Sequence, residues 1–236
     1  MFLAWQERGA VIQSIQTKMT INYYGHSCFR IANSGNHVTV VIDPYNKKTG
    51  LGSLKLSADI LLISHDHGDH NEKKAISSQE AFLIDSPGEY EIKGVSIVGI
   101  PTFHDSSLGK ERGGNTVYLV NMDNINLCHL GDLGQDKLSD KELEKLGQVD
   151  VLMVPVGGTY TIDAKGAAKL ANQIEPRIVV PMHYKLPKTD ASLKLAKVDG
   201  FLEEMGAEKK QVMEKLTVKK EILSKRDRSC CYENLD

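Results

Sequence analysis

The chain has 236 residues, of which 41% are hydrophobic and 25% charged; this composition excludes a largely disordered protein and is typical of a globular domain with a sizeable core. A formal net charge of -2 gives no general electrostatic reason to bind nucleic acid, although a local basic patch stays compatible with it. The four cysteines show no CxxC spacing, and this favours a reducing compartment.

The two ends of the chain differ from its body. Residues 1–18 contain Glu7 and Arg8 and no uninterrupted apolar stretch, so they make a poor signal peptide and cannot span a membrane. We therefore expect a cytoplasmic protein with no membrane partner. The leader is either a short accessory helix or, as we favour, an extension ahead of a domain over 19–220. Residues 221–236 are charged, lack an apolar period and are predicted to form a mobile tail.

Short strands separated by turn residues open the domain. The turn Asn33-Ser34-Gly35-Asn36 lies between two apolar runs and predicts a β-hairpin. Asp123-Asn124 predicts a second hairpin in the same way. The predicted strands of this half are residues 28–32, 37–42, 81–84, 95–100, 116–121 and 125–129.

Strands alternate with helices in the second half. Ser139 and Glu142 form a capping-box pattern that predicts a helix to about Leu146. Apolar residues at helical spacing, with Gly206 as a stop signal, predict a final helix. The predicted elements are strands 149–154 and 177–180 and helices 163–174 and 191–205.

The segment 64–70 carries the clearest chemical signal. It reads His65-x-His67-x-Asp69-His70 directly after an apolar run, and neutral imidazole and carboxylate groups suit zinc and its first-row neighbours. In an extended stretch residues i and i+2 point the same way, so His65 and His67 can reach one ion. Gly68 then allows a turn, and Asp69 and His70 precede a predicted helix over 71–75. Their side chains therefore point to a position next to the one that His65 and His67 reach.

Other candidate ligands share one position in the predicted fold. His65, His104, Asp132 and His183 each lie just beyond the end of an apolar run. Loops at strand ends are where sites in layered α/β proteins are assembled, because the sheet fixes their geometry. These residues are therefore able to meet in space although they are distant in sequence.

The chain resembles the metallo-β-lactamase-fold hydrolases in the order and spacing of their metal motifs. The motifs are His65-x-His67-x-Asp69-His70, Thr102-Phe103-His104-Asp105, Gly131-Asp132 and Pro181-Met182-His183. The resemblance covers about 19–220 and implies an α/β fold, an αββα sandwich of two mixed β-sheets face to face with helices on the outside. Segments 23–29, 87–90, 129–132 and 156–159 resemble a branch of small, single-domain metal-dependent hydrolases similar to L-ascorbate-6-phosphate lactonase.

The resemblance implies a ligand set around two divalent metal ions. Zn²⁺ is the first choice, and Mn²⁺ or Fe²⁺ also suit these ligands. A bridging hydroxide between the ions would be the nucleophile, with Asp69 and Asp132 as the catalytic carboxylates. One ion would be held by His65, His67 and His104, the other by Asp69, His70 and His183, with Asp132 bridging the two.

Five further residues are candidates for binding substrate or supporting ligands. The resemblance gives His26 and His129 positions outside the ligand set, and we expect one of them near the pocket, the other being a hydrogen-bonded core histidine. Asp43 is placed to anchor a ligand histidine, or alternatively to cap an Asp-Pro turn, and Glu89 has a similar claim. Arg112 follows His104 in a polar, glycine-rich loop and could hold a phosphate or carboxylate, unless it is only a solvated loop charge.

The predicted function is cleavage of a small ester, lactone or phosphoester. Alternatives within the fold are a nuclease or nucleotide phosphodiesterase, disfavoured by the acidic balance, and a di-iron redox enzyme, whose relatives place glutamate where this chain has His67. A metal-binding module without turnover is the alternative from another class. The sequence leaves the substrate and the oligomeric state open.

Overall fold

The computed structural model describes residues 18–35, 37–78, 80–207, 211–212, 215–220 and 229–232. Two mixed β-sheets form the framework of this part of the chain. The predicted extension, apart from Lys18, lies outside the described residues.

The first sheet has six strands and begins as an antiparallel meander. Its second and third strands pair Phe29 with Ile42 and form the predicted hairpin. The next two strands add in parallel, and a short strand from the end of the domain pairs antiparallel with the first. In spatial order the strands are β13 (Leu216–Val218), β1 (Met19–Gly25), β2 (Cys28–Asn33), β3 (Thr39–Ile42), β4 (Ile60–Leu62) and β5 (Phe82–Ile84).

The second sheet has eight strands, and its antiparallel half contains the second predicted hairpin. Its other half is parallel, because helices cross back between successive strands. In spatial order the strands are β12 (Gln211–Val212), β14 (Ser229–Tyr232), β11 (Ile178–Met182), β10 (Val151–Pro155), β9 (Ile125–His129), β8 (Gly114–Met122), β7 (Val95–Phe103) and β6 (Gly88–Ile92).

The sheets share one core. Alternate residues of the first sheet, such as Ile31, Val40 and Leu62, pack in one cluster with Ile97 and Val120 of the second sheet. The opposite face of the first sheet forms a smaller cluster, with Val41 and Leu61 against Tyr45 and Leu56, so the 45–56 segment covers it without an α-helix. The sandwich predicted from the sequence is confirmed, with few helices.

Two of the predicted helices form as expected. Helix α1 (Asp140–Leu146) starts at the capping box, in which Glu142 N–H donates to the Ser139 hydroxyl. Helix α2 (Ala164–Ile174) begins after Asp163, whose carboxylate accepts from Gly166 N–H.

The predicted final helix is wrong over its first half, because only α3 (Asp199–Glu204) is helical. Ala196 donates its N–H to Gly157 O and accepts from Lys185 N–H, so its backbone groups are used in contacts between segments. Leu195 and Val198 are buried nonetheless, and this burial explains the apolar pattern.

The predicted helix over 71–75 is also wrong beyond a single 3₁₀ turn, Lys73–Ala75. Glu72 N–H donates to Pro44 O, and Ala75 O accepts from Leu56 N–H. These long-range bonds compete with a continuing α-helix.

Part of the predicted tail is paired in the sheet. Strand β14 lies parallel to β11, with Ser229 opposite Ile178. Residues 221–228 and 233–236 lie outside the described residues. Among the described helices, none has both the length and the apolar composition needed to cross a bilayer.

Candidate metal centre

The candidate ligands follow strand ends at one edge of the sandwich. His65 comes three residues after β4, His104 directly after β7, Asp132 three residues after β9, and His183 directly after β11. His183 has a positive φ of 54°, a conformation that costs free energy in a non-glycine residue and is common at functional sites. The fold therefore aims side chains from both sheets at one point.

The centre of this arrangement is the buried carboxylate of Asp132. Its Oδ2 lies 3.2 Å from His70 Nε2, 3.2 Å from His183 Nε2, 3.3 Å from His104 Nε2 and 4.0 Å from His65 Nε2. Four imidazoles that face one buried carboxylate oxygen are an arrangement typical of a metal centre.

The remaining predicted ligands extend the cluster in two directions. One ligand atom from each of His65, His67 and His104 lies within 4.8 Å of the others. A second group within the same limit contains Asp69, His70, His183 and also His26. All seven predicted ligands are thus brought together, and His26 joins them although the sequence reasoning placed it outside the ligand set.

The donor atoms fit a metal. His65 Nε2 and Asp132 Oδ1 are buried and have no hydrogen-bond partner among the described residues. Unpaired buried polar atoms are costly in a folded protein, and a coordinated cation would satisfy both. Burial, together with the neighbouring His70, lowers the pKa of His65 to about 3, which keeps the ring in its neutral, metal-binding form.

His70 titrates differently because it lies between two carboxylates. Burial alone would lower its pKa, but Asp132 and Asp43 outweigh burial and raise it well above the ordinary value. A cation bound at His70 would therefore take the place of a proton.

A buried hydrogen-bond cluster orients two of the histidines. Asp43 Oδ2 lies 3.1 Å from His70 Nδ1 and accepts from the Ser64 hydroxyl at 2.6 Å, while Asp43 Oδ1 accepts from Ser64 N–H at 2.7 Å. The Ser64 hydroxyl lies 2.9 Å from His65 Nδ1. The predicted contact between Asp43 and a ligand histidine is therefore present, and it leaves both Nε2 atoms facing the centre.

His26 and His129 occupy different environments. His26 Nε2 lies 3.1 Å from Asp69 Oδ2, and burial lowers the pKa of His26 to about 4. His129 Nε2 donates to Ser27 O at 3.0 Å and its Nδ1 accepts from Gly131 N–H at 3.1 Å, so both ring nitrogens bind backbone. His129 is a core histidine, whereas His26 faces the cavity.

Glu89 is not brought to the centre. It is exposed on the edge strand β6, opposite Val98, and does not line the cavity beside the described ligands. Because β6 is an edge strand, the Glu89 carboxylate is exposed to solvent and does not support a candidate ligand.

A cavity of about 290 Å³ opens over the centre. Arg112 and Tyr160 form part of its wall, together with Leu193. The Arg112 guanidinium donates to Thr159 O at 3.2 Å and lies 5.8 Å from the Tyr160 ring centroid. The positively charged side chain of Arg112 therefore lies at the entrance to the metal centre.

Asn115 is a supporting residue that the sequence reasoning missed. Its amide oxygen accepts from Asp132 N–H at 2.9 Å, and its amide nitrogen donates to Leu130 O and to the Thr102 hydroxyl. Its side-chain oxygen lies 2.3 Å from where a Cβ on Gly131 would be, so the turn before Asp132 requires glycine. An asparagine inside a strand pattern gives no local signal of this role.

Comparison with known sequences identifies the family. A sequence model of the beta-lactamase superfamily domain matches residues 20–183. The chain belongs to this superfamily. A UPF0173 metal-dependent hydrolase of Thermococcus onnurineus is 32% identical over 190 residues, which cover 70% of this chain and 84% of the relative.

Solved structures agree with this assignment. A Thermotoga maritima protein described as a Zn-dependent hydrolase of the metallo-beta-lactamase superfamily shares 32% identity at a TM-score of 0.73, covering 92% of this chain and all of the other. A metallo hydrolase of Ignicoccus hospitalis, at 22% identity and a TM-score of 0.64 over 85% of this chain and 98% of its own, shows the same fold. The chain described here is therefore a metal-dependent hydrolase.

Proposed function

We propose that this hydrolase binds two divalent ions, zinc in the first place, and cleaves a small ester, lactone or phosphoester in the cytoplasm. The observation that carries the proposal is the convergence of four buried or nearly buried imidazole Nε2 atoms on Asp132 Oδ2, within 3.2 to 4.0 Å. Two buried free thiols, Cys28 and Cys128, support a reducing compartment.

The proposed ligand sets follow the two side-chain groups. His65, His67 and His104 would hold one ion, and Asp69, His70 and His183 the other. Asp132 would bridge them, since its two carboxylate oxygens are able to bind separate ions. When bound, such a pair of ions lowers the pKa of a shared water and polarises the scissile group.

Side chains around the centre would orient the metal ligands and the attacking water. Asp43 and Ser64 fix the ring planes of His70 and His65 from behind, so these rings need no rearrangement during turnover. His26 fixes the Asp69 carboxylate from the side of the cavity. Asp69 would then orient the attacking water.

The substrate is proposed to be small, because the cavity over the centre has a volume of about 290 Å³. Arg112, on its wall, would bind a phosphate or carboxylate group of the substrate. This pairing favours anionic esters and phosphoesters over neutral ones.

The test combines metal analysis with an activity panel. We expect two ions per chain by elemental analysis, loss of activity on chelation, and recovery on adding zinc or manganese. His104→Ala is expected to lose metal and activity, while His37→Ala, at an exposed histidine beside a hairpin, serves as the matched control. Metal-loaded protein that cleaves nothing in a broad panel of lactones, phosphomonoesters and phosphodiesters would contradict the proposal.

A further inference from the structure

A single buried carboxylate organises the loop that follows the ligand His104. The side chain of Asp105 accepts four backbone N–H groups of its own loop. The donors are Ser107 at 2.8 Å, Gly109 at 2.9 Å, Glu111 at 3.0 Å and Arg112 at 2.8 Å.

The loop depends on this carboxylate for its shape. Gly109 and Gly113 have positive φ angles of 77° and 88°, and Leu108, at 61°, adopts the same left-handed region. Beyond the bonds to Asp105, the loop is closed by Gly113 N–H donating to Gly109 O at 3.0 Å. Without the Asp105 carboxylate, four N–H groups would lose their acceptor, and the fixed path of the chain would lose its main support.

The last residue held in this way is Arg112. The bond from its backbone N–H to Asp105 fixes where its side chain starts, and the guanidinium then crosses the cavity edge to Thr159 O and the Tyr160 ring. Arg112 lines both the cavity over the metal centre and a neighbouring polar cavity of about 320 Å³. Thr159 O is the one protein acceptor that the described residues give the guanidinium, which leaves other N–H groups for a ligand.

We propose that Asp105 is a positioning residue that holds Arg112 as the anchor for an anionic group of the substrate. The inference rests on the proposed function, in which Arg112 binds such a group. It assigns to Asp105 an effect on ligand affinity that passes through Arg112 and leaves the metal ligands untouched.

The test is binding of inorganic phosphate to the zinc-loaded full chain, measured by isothermal titration calorimetry. We expect Arg112→Gln to weaken binding about tenfold, as expected when a charge-assisted hydrogen bond is lost. Asp105→Asn should weaken it by a similar factor, because an amide cannot accept four N–H groups. The double variant should bind no more weakly than Arg112→Gln alone, since both changes remove the same anchor.

The matched control is Asp59→Asn. Asp59 also accepts a backbone N–H, that of Thr39, but it precedes β4 whereas the centre follows that strand. The phosphate affinity of Asp59→Asn should equal that of the wild type. Gly109→Ala perturbs the same loop independently, because its Cβ would meet Gly113 O at 3.0 Å at a positive φ, and it should reproduce the effect of Asp105→Asn.

Several results would overturn the inference: phosphate affinity unchanged in Asp105→Asn and Gly109→Ala, additive effects in the double variant, no phosphate binding by the wild type, or a fall in zinc content in Asp105→Asn. The last result would mean that Asp105 supports His104 instead. Phosphate binding does not require turnover. A chain that shows the expected binding pattern but cleaves no ester, lactone or phosphoester would refute the proposed function, while the dependence of anion binding by Arg112 on Asp105 would stand.

Discussion

The floor and the rim of the cavity are built in opposite ways. The floor consists of Asp132 and the histidines around it, His65, His70, His104 and His183, whose side chains are buried and start from strand ends. The rim, residues 105–113 and 159–161, is largely exposed and is held by hydrogen bonds to its backbone. In the proposals made above, the floor side chains would carry the chemistry, and the hydrogen bonds that hold the rim backbone would determine which ligands bind.

The largest effect should come from Asp132→Asn on the floor. An amide has the same shape but one oxygen and no charge, so it cannot bridge two cations. We expect loss of at least one ion per chain by elemental analysis and a fall in hydrolytic rate of at least about 10³-fold.

The control for that variant is Asp66→Asn. Asp66 lies between His65 and His67 but is exposed and accepts from the Asn71 side-chain amide. Metal content and rate should be unchanged. Full metal content in Asp132→Asn would contradict the bridging role.

The floor was predictable because its signal is local. The spacing of His65, His67, Asp69 and His70 predicts metal ligands, and the position of His104, Asp132 and His183 after apolar runs predicts that their side chains meet at one edge of the sheet. The two hairpins and the capping box at Ser139 were predictable for the same reason, since Ser139 and Glu142 interact within one turn of chain.

The parts that the sequence did not predict depend on contacts between distant segments. Ala196 bonds to Gly157 and Lys185, and Glu72 bonds to Pro44, so the α-helices predicted at these two places do not form there. Asn115 supports Asp132 from another strand, and Asp105 acts on a loop whose path no local pattern specifies. His26 reaches the ligand group only because the loop after β1 meets the loops after β4 and β11.

A substitution of His129 tests whether this buried histidine next to the floor contributes to metal binding or only to the stability of the fold. In His129→Leu, Ser27 O and Gly131 N–H would lose their partners, which should lower the free energy of unfolding by about 2–4 kcal/mol. Two ions per chain should remain, because Asn115 also holds the Asp132 backbone. Urea unfolding and elemental analysis measure the two quantities, and loss of metal with unchanged stability would reverse the assignment.

Asp43 tests how far the floor depends on the residues behind it. Asp43→Asn keeps the size of the side chain and tolerates the positive φ of 46°, but it removes the charge that orients His70. We expect metal affinity to fall about 10- to 100-fold, measured by competition with a chelator. Asp59→Asn is again the control, and equal affinities of the two variants would show that the orientation of His70 does not matter.

The smallest effect should come from an exposed side chain of the rim. Leu108 is 68% exposed and has a φ of 61°, a conformation unfavourable for leucine and better tolerated by asparagine. Leu108→Asn should raise the free energy of unfolding by about 0.5–1 kcal/mol in urea unfolding and leave phosphate affinity unchanged. If the rim acts through its backbone, an exposed side chain such as that of Leu108 can be replaced without loss of phosphate binding. A tenfold loss of phosphate affinity in this variant would mean that the rim also binds ligand through its apolar surface.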